Sequence, residues 1–125
     1  MDRNVVIKAI KTDLKRRSGR SWSVSGGTGS AYGWITIDAL PAKRTARWEL
    51  KAGEPDYPGN YIEVETGLPG GHITPTDQKT LAKLLGIESV HHQGVQIAAS
   101  NAHYEEYLDR AAGRTPRRVG EQYWD

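Results

Sequence analysis

Between Arg20 and Ile37 two runs of alternating residues flank a cluster of glycines, and this stretch constrains the fold more than any other. Trp22 and Val24 alternate with Ser21, Ser23 and Ser25; Ile35 and Ile37 alternate with Trp34, Thr36 and Asp38. Period-two alternation puts one set of side chains on each face of an extended strand. Gly26, Gly27 and Gly29 between the runs reach positive φ without steric cost, so the stretch predicts a β-hairpin with a long flexible loop. Strands are expected near residues 21–25 and 32–38. The apolar face of such a hairpin has to be covered, and the rest of the chain reads as that cover.

Residues 4–17 read as a helix, because Val6, Ile10 and Leu14 recur every four residues and Ile7 widens the stripe. Asp2 or Asn4 caps its start and Gly19 its end. Two further alternating runs, 45–51 and 61–66, predict half-buried antiparallel strands joined through the Pro- and Gly-rich residues 53–59. Thr74, Pro75 and Asp77 mark a second helix start, with Leu81, Leu84 and Leu85 as its apolar face and Gly86 as its stop. Residues 87–98 hold a short strand carrying His91, His92, Gln93 and Gly94. Ser100 caps a last helix over 101–112, closed by Gly113. The expected architecture is α+β: a single domain over residues 1–113, with a four-stranded, mainly antiparallel sheet. The N-terminal helix and the two C-terminal helices are expected on one face. Residues 114–125 read as a C-terminal tail.

Composition narrows the chemistry. A chain of 125 residues suits one domain, which buries roughly two-thirds of its unfolded surface. Phe is absent and Met occurs once, so Trp, Tyr, Ile, Leu and Val must fill the core. With no cysteine there is no disulfide framework, thiolate zinc site or cysteine nucleophile. No apolar run approaches the ~18 residues of a membrane span, and the start is amphipathic rather than signal-like, so a cytoplasmic protein without membrane partners is expected. The net charge of +2 says less than its distribution. Lys8, Lys11 and Lys15 form a cationic ridge beside the apolar stripe of the first helix, and Arg16, Arg17 and Arg20 extend it.

Residue type and spacing offer several candidate sites. The glycine loop offers N–H groups to a phosphate, as anion nests do. It lacks the Lys-Ser/Thr of a Walker loop, and Tyr32 stands where a dinucleotide fingerprint needs a third small residue. A flexible hairpin loop is its simpler reading. His72, His92 and His103 are weak metal candidates, with Asp77 or Glu105 as further ligands; His91 and His92, adjacent on a strand, point to opposite faces. Glu63 and Glu65 share a strand face about 7 Å apart, a spacing open to sugar chemistry but simpler as a solvated face. No serine sits in a nucleophile elbow.

The residues Leu14-Lys15-Arg16-Arg17-Ser18-Gly19, Trp22-Ser23-Val24, Gly26-Gly27, Gly29 and Tyr32-Gly33-Trp34-Ile35-Thr36-Ile37 carry a resemblance. So do Leu84-Leu85-Gly86, Val90-His91-His92-Gln93-Gly94-Val95 and Tyr123-Trp124-Asp125. Together they resemble a group of small uncharacterised bacterial proteins of about this length. The first forty residues also resemble domains associated with large polyvalent proteins of phages and plasmids. Neither resemblance implies a reaction or a cofactor; the second implies traffic with mobile elements. The element order is similar to that of double-stranded RNA-binding domains.

Two functions follow as expectations, and an enzyme is not favoured. The first is a non-catalytic nucleic-acid or phosphate-binding protein. Lys8, Lys11, Lys15, Arg16, Arg17 and Arg20 would contact phosphates of DNA or RNA, and Gly26, Gly27 and Gly29 would donate from the loop. The second is a protein-interaction module, an inhibitor or adaptor linked to a mobile element, presenting Tyr and Trp side chains such as Tyr123 and Trp124.

Overall fold

A computed structural model of the chain describes residues 1–39, 48–63, 73–91 and 94–121. In order these form α1 (Arg3–Ser18), β1 (Trp22–Gly26), a 3-10 turn (Gly29–Ala31), β2 (Ile35–Ala39), β3 (Trp48–Leu50), a second 3-10 turn (Pro58–Asn60), β4 (Tyr61–Glu63), α2 (Pro75–Leu85), β5 (Val95–Ile97) and α3 (Asn101–Ala111). Local chemistry sets the helix ends. The Asp2 carboxylate accepts from the Asn4 N–H at 2.8 Å, Thr74 Oγ1 from the Asp77 N–H at 3.1 Å, and Ser100 Oγ from the His103 N–H at 3.2 Å, each satisfying an orphan donor of a first turn. Gly19 and Gly86 close α1 and α2 in the left-handed region.

The hairpin forms as its alternation requires. β1 and β2 pair antiparallel from Trp22↔Ala39 to Gly26↔Ile35. Trp22, Val24, Ile35 and Ile37 are buried on one face, whereas Ser23, Ser25, Thr36 and Asp38 are half-buried or exposed on the other. Val6, Ile10 and Leu14 of α1, Leu81 and Leu85 of α2, and Tyr104 and Ala111 of α3 join the buried face in one hydrophobic cluster. No described helix is long and apolar enough to cross a membrane.

The sheet departs from the expected four-stranded, mainly antiparallel one. Among the described residues a three-stranded sheet runs in the order β1-β2-β5, and β3 and β4 form a separate two-stranded sheet. Alternation marks strands but does not choose their partners. Leu50 of β3 is 38% exposed, while Val95 and Ile97 of β5 are buried in the core. Just before β5 the Gly94 N–H bonds the His91 carbonyl at 2.9 Å. Gly94 has φ 98°, and a Cβ there would lie 2.0 Å from the Ile37 carbonyl oxygen, so only glycine fits.

Residues 114–121, expected as part of a tail, fold back onto α3. Asp109 is inaccessible to solvent. Its carboxylate accepts from Arg114 Nη2 at 3.0 Å and from both the backbone N–H and Nε of Arg117 at 3.1 Å. One turn back, Glu106 Oε1 accepts from the Gly120 N–H at 2.8 Å, and the His103 ring bonds the Glu121 carbonyl through Nε2. Three side chains spaced three apart along α3 therefore hold the segment.

Candidate anion-binding surface

The cationic residues of the first segment separate into three groups. On a helix of 3.6 residues per turn, Lys8, Lys11 and Lys15 lie within about 60° of one another. All three are exposed, and no carboxylate among the described residues pairs with them. Arg16 projects about 100° away from this ridge and pairs with Asp13 at 3.3 Å, its side chain 60% exposed.

Arg17 falls on the stripe of Val6, Ile10 and Leu14 and turns inward. Its Nη1 reaches the carbonyls of Leu84 at 2.8 Å, Arg110 at 3.0 Å and Ala111 at 2.9 Å. These carbonyls lie at the C-terminal ends of α2 and α3, where the helix dipoles favour a cation; that of Arg110 also accepts from the Gly113 N–H at 3.0 Å. Arg110 completes the junction by bonding the Leu85 and Gly86 carbonyls and Glu106. Arg20 pairs with Asp77 at 2.8 Å and stacks over the Trp22 ring at 4.5 Å, tying the entry to β1 to the first turn of α2. Both arginines are thus engaged inside the fold.

The glycine loop is clamped rather than open. Arg3 donates through Nη1 to the Gly27 carbonyl at 2.6 Å and to the Tyr32 carbonyl, and its guanidinium lies 3.6 Å over the Tyr32 ring. The Tyr104 hydroxyl donates to the Gly33 carbonyl. The N–H groups of Gly27, Ala31, Tyr32 and Trp34 bond carbonyls of the same loop. Gly29 keeps φ 60° with open space around it. A Cβ at Gly26 would meet the Arg3 guanidinium at 2.2 Å. Composition and spacing do not mark Arg3 as the partner of the loop. The usable signal was a cation in a first helical turn, which opposes the dipole and therefore calls for a tertiary partner.

The ridge and the loop do not form one patch. Arg3 at the start of α1 meets Gly27 after the end of β1, so helix and strand run antiparallel. Lys8 to Lys15 lie roughly 7 to 18 Å further along the helix axis. Beside them is the start of β1: Lys11, Thr12 and Lys15 enclose, with Ser21, Trp22 and Ser23, a groove of about 340 Å³. The ridge therefore borders a strand.

The other candidates fare differently. His103 is buried, with Nε2 on the Glu121 carbonyl and Nδ1 on the Ser100 hydroxyl. A carbonyl only accepts, so Nε2 carries a hydrogen. The ring holds the N-cap of α3 to the docked segment. His72, His92, Glu65, Tyr123 and Trp124 lie outside the described residues. Among the described residues no three His, Asp or Glu side chains are grouped to hold a metal ion. A cavity of about 280 Å³ beneath residues 119–121 is lined in part by His103, Glu106 and Tyr107. Both carboxylate oxygens of Glu106 are engaged there, with Arg110 and Gly120. Trp22 and Tyr104 are buried, whereas Tyr32 is 58% and Tyr57 65% exposed. Comparison with family models, with curated proteins and with solved structures finds no match to this chain.

Proposed function

We propose that the chain is a non-catalytic module that grips an anionic polymer along Lys8, Lys11 and Lys15. One observation carries the reading: three exposed lysines lie in a row on α1, none paired with a described carboxylate, beside a groove large enough for a chain to lie in. Of the first segment's cations, Arg17 and Arg20 are partnered within the fold, whereas Lys8, Lys11 and Lys15 are exposed. With a phosphodiester backbone as ligand, three contacts give a log–log salt slope of about −2.7 for a duplex and about −2.1 for a single strand.

The test is fluorescence anisotropy with labelled duplex, single-stranded RNA and polyglutamate, titrated between about 50 and 200 mM salt. At least one of these polymers binds at low salt, and Lys11→Glu with Lys15→Glu weakens it at least about tenfold. Failure of all three to bind at low salt, or binding indifferent to the double reversal, overturns the reading.

A further inference from the structure

The ridge borders the outer edge of the sheet, and the ladder shows which backbone groups that edge presents. Gly27 donates to the Trp34 carbonyl at 2.8 Å, so these two form a hydrogen-bonded pair of the antiparallel ladder. Hydrogen-bonded and non-bonded pairs alternate along such a ladder. In the observed register Ser25 with Thr36 and Ser23 with Asp38 are then bonded pairs. Gly26, Val24 and Trp22, opposite Ile35, Ile37 and Ala39, are the non-bonded ones. Their N–H and C=O groups point away from β2. Among the described residues no strand pairs with them, since β1 is terminal in the order β1-β2-β5. The edge residues Trp22–Gly26 span about 13 Å, which fits five or six residues of an added strand.

We infer that β1 takes up an extended acidic segment of a partner protein as a fourth strand, its carboxylates meeting Lys8, Lys11 and Lys15. This rests on the reading of the ridge as a polyanion grip and names the polymer. Main-chain bonds to Trp22, Val24 and Gly26 supply the pairing, and alternate side chains of the incoming strand lie on the α1 side of the sheet. Carboxylates at every second residue recur about 6.6 Å apart, close to the roughly 4.5 and 6 Å axial steps between successive lysines, which their flexible stems absorb. The other side chains lie beside Ser23 and Ser25, where small hydroxylated residues fit. A second copy of this chain suits the edge poorly: the two-fold axis of an edge-to-edge antiparallel pair places both α1 helices on one face, lysines against lysines. A nucleic acid would use the lysines but leave the outward amides unpaired.

The full chain is tested with a capped peptide of alternating glutamate and threonine, about eight residues long, and with its lysine–threonine counterpart. Amide hydrogen exchange is followed residue by residue by NMR. Saturating acidic peptide slows exchange at Trp22, Val24 and Gly26 by at least about tenfold, while Ser23 and Ser25, already bonded to β2, change little. Lys11→Glu with Lys15→Glu removes the effect, and the basic peptide does not produce it. Acidic peptide bound without this alternating protection, or RNA or DNA bound while the peptide is not, overturns the strand-addition inference and leaves the polyanion grip standing. If no polyanion binds at low salt, both fall. Alternating protection that appears with protein concentration, without peptide, assigns the edge to a second copy and also overturns the inference.

Discussion

Replacing Arg17 with methionine separates an internal arginine from an external one, because its sequence neighbour Arg16 provides the control. The Arg17 Nη1 carries two hydrogens and reaches three carbonyls between 2.8 and 3.0 Å, on Leu84, Arg110 and Ala111. That is about two full charge-assisted bonds, each contributing about 1.5–3 kcal/mol. The junction is part-buried, so water recovers some of the loss in the variant, and methionine keeps most of the apolar stem. We expect a destabilisation of about 2–4 kcal/mol. Unfolding entropy near 2.1 cal/mol/K per residue gives about 0.26 kcal/mol/K for 125 residues, so the midpoint falls by about 8–15 °C. Arg16→Met breaks only the exposed pair with Asp13 and is expected to cost at most about 0.5 kcal/mol, or about 2 °C. Thermal melts followed by circular dichroism, with urea melts to confirm an unchanged m-value, measure both. Equal midpoints for the two variants would refute the structural role given to Arg17. The same result bears on binding work: charge reversal at Arg17 tests folding, whereas reversal at Lys11 and Lys15 tests the surface.

Asp109 gives a pH signature. The hydrogen bonds from the Arg117 backbone and side chain, and then from Arg114, lower its carboxyl from 3.8 to about 2. A folded value below the unfolded one means that the stabilisation is present in full above pH ~4 and is lost as pH falls toward 2. The midpoint gap between wild type and Asp109→Asn should therefore be largest near neutrality and narrow through that window; a gap unchanged down to pH ~2 would count against the clasp. In the same variant the docked segment should open to trypsin at Arg114, Arg117 and Arg118, read by mass spectrometry at neutral pH. Gly94→Ala meets both a positive φ and a carbonyl at 2.0 Å, and should cost more than about 2 kcal/mol. Gly29→Ala meets only the positive φ, with open space around it, and should cost about 1 kcal/mol. Similar urea midpoints for the two would show that the approach of β5 to β2 at Gly94 is looser than described.

Much of this architecture is local and therefore legible in the order of residues. Capping hydroxyls and carboxylates at Asp2, Thr74 and Ser100, the stops at Gly19 and Gly86, and the four-residue recurrence of Val6, Ile10 and Leu14 act within one or two turns of chain. The hairpin of β1 and β2 is local in the same sense, because its alternation and its glycines lie within twenty residues. Even the inward turn of Arg17 was there to be read: it continues the buried stripe, three residues past Leu14, and was grouped with the surface cations by charge alone. The partners were not legible. β5 joins β2 because the buried faces of Val95 and Ile97 and the clearance at Gly94 meet in space, and nothing in the alternation of residues 61–66 says that β4 will not. Likewise Arg3 reaches the glycine loop, and Asp109 gathers Arg114 and Arg117, through contacts that exist only once helices and strands have packed. Sequence by itself determined the three helices with their caps, the β1–β2 hairpin and the lysine row. Tertiary structure alone decided which arginines became internal struts, which of the described strands ends the sheet, and that the lysines lie beside that strand rather than at the loop, because pairing and burial depend on distances that the one-dimensional pattern does not contain.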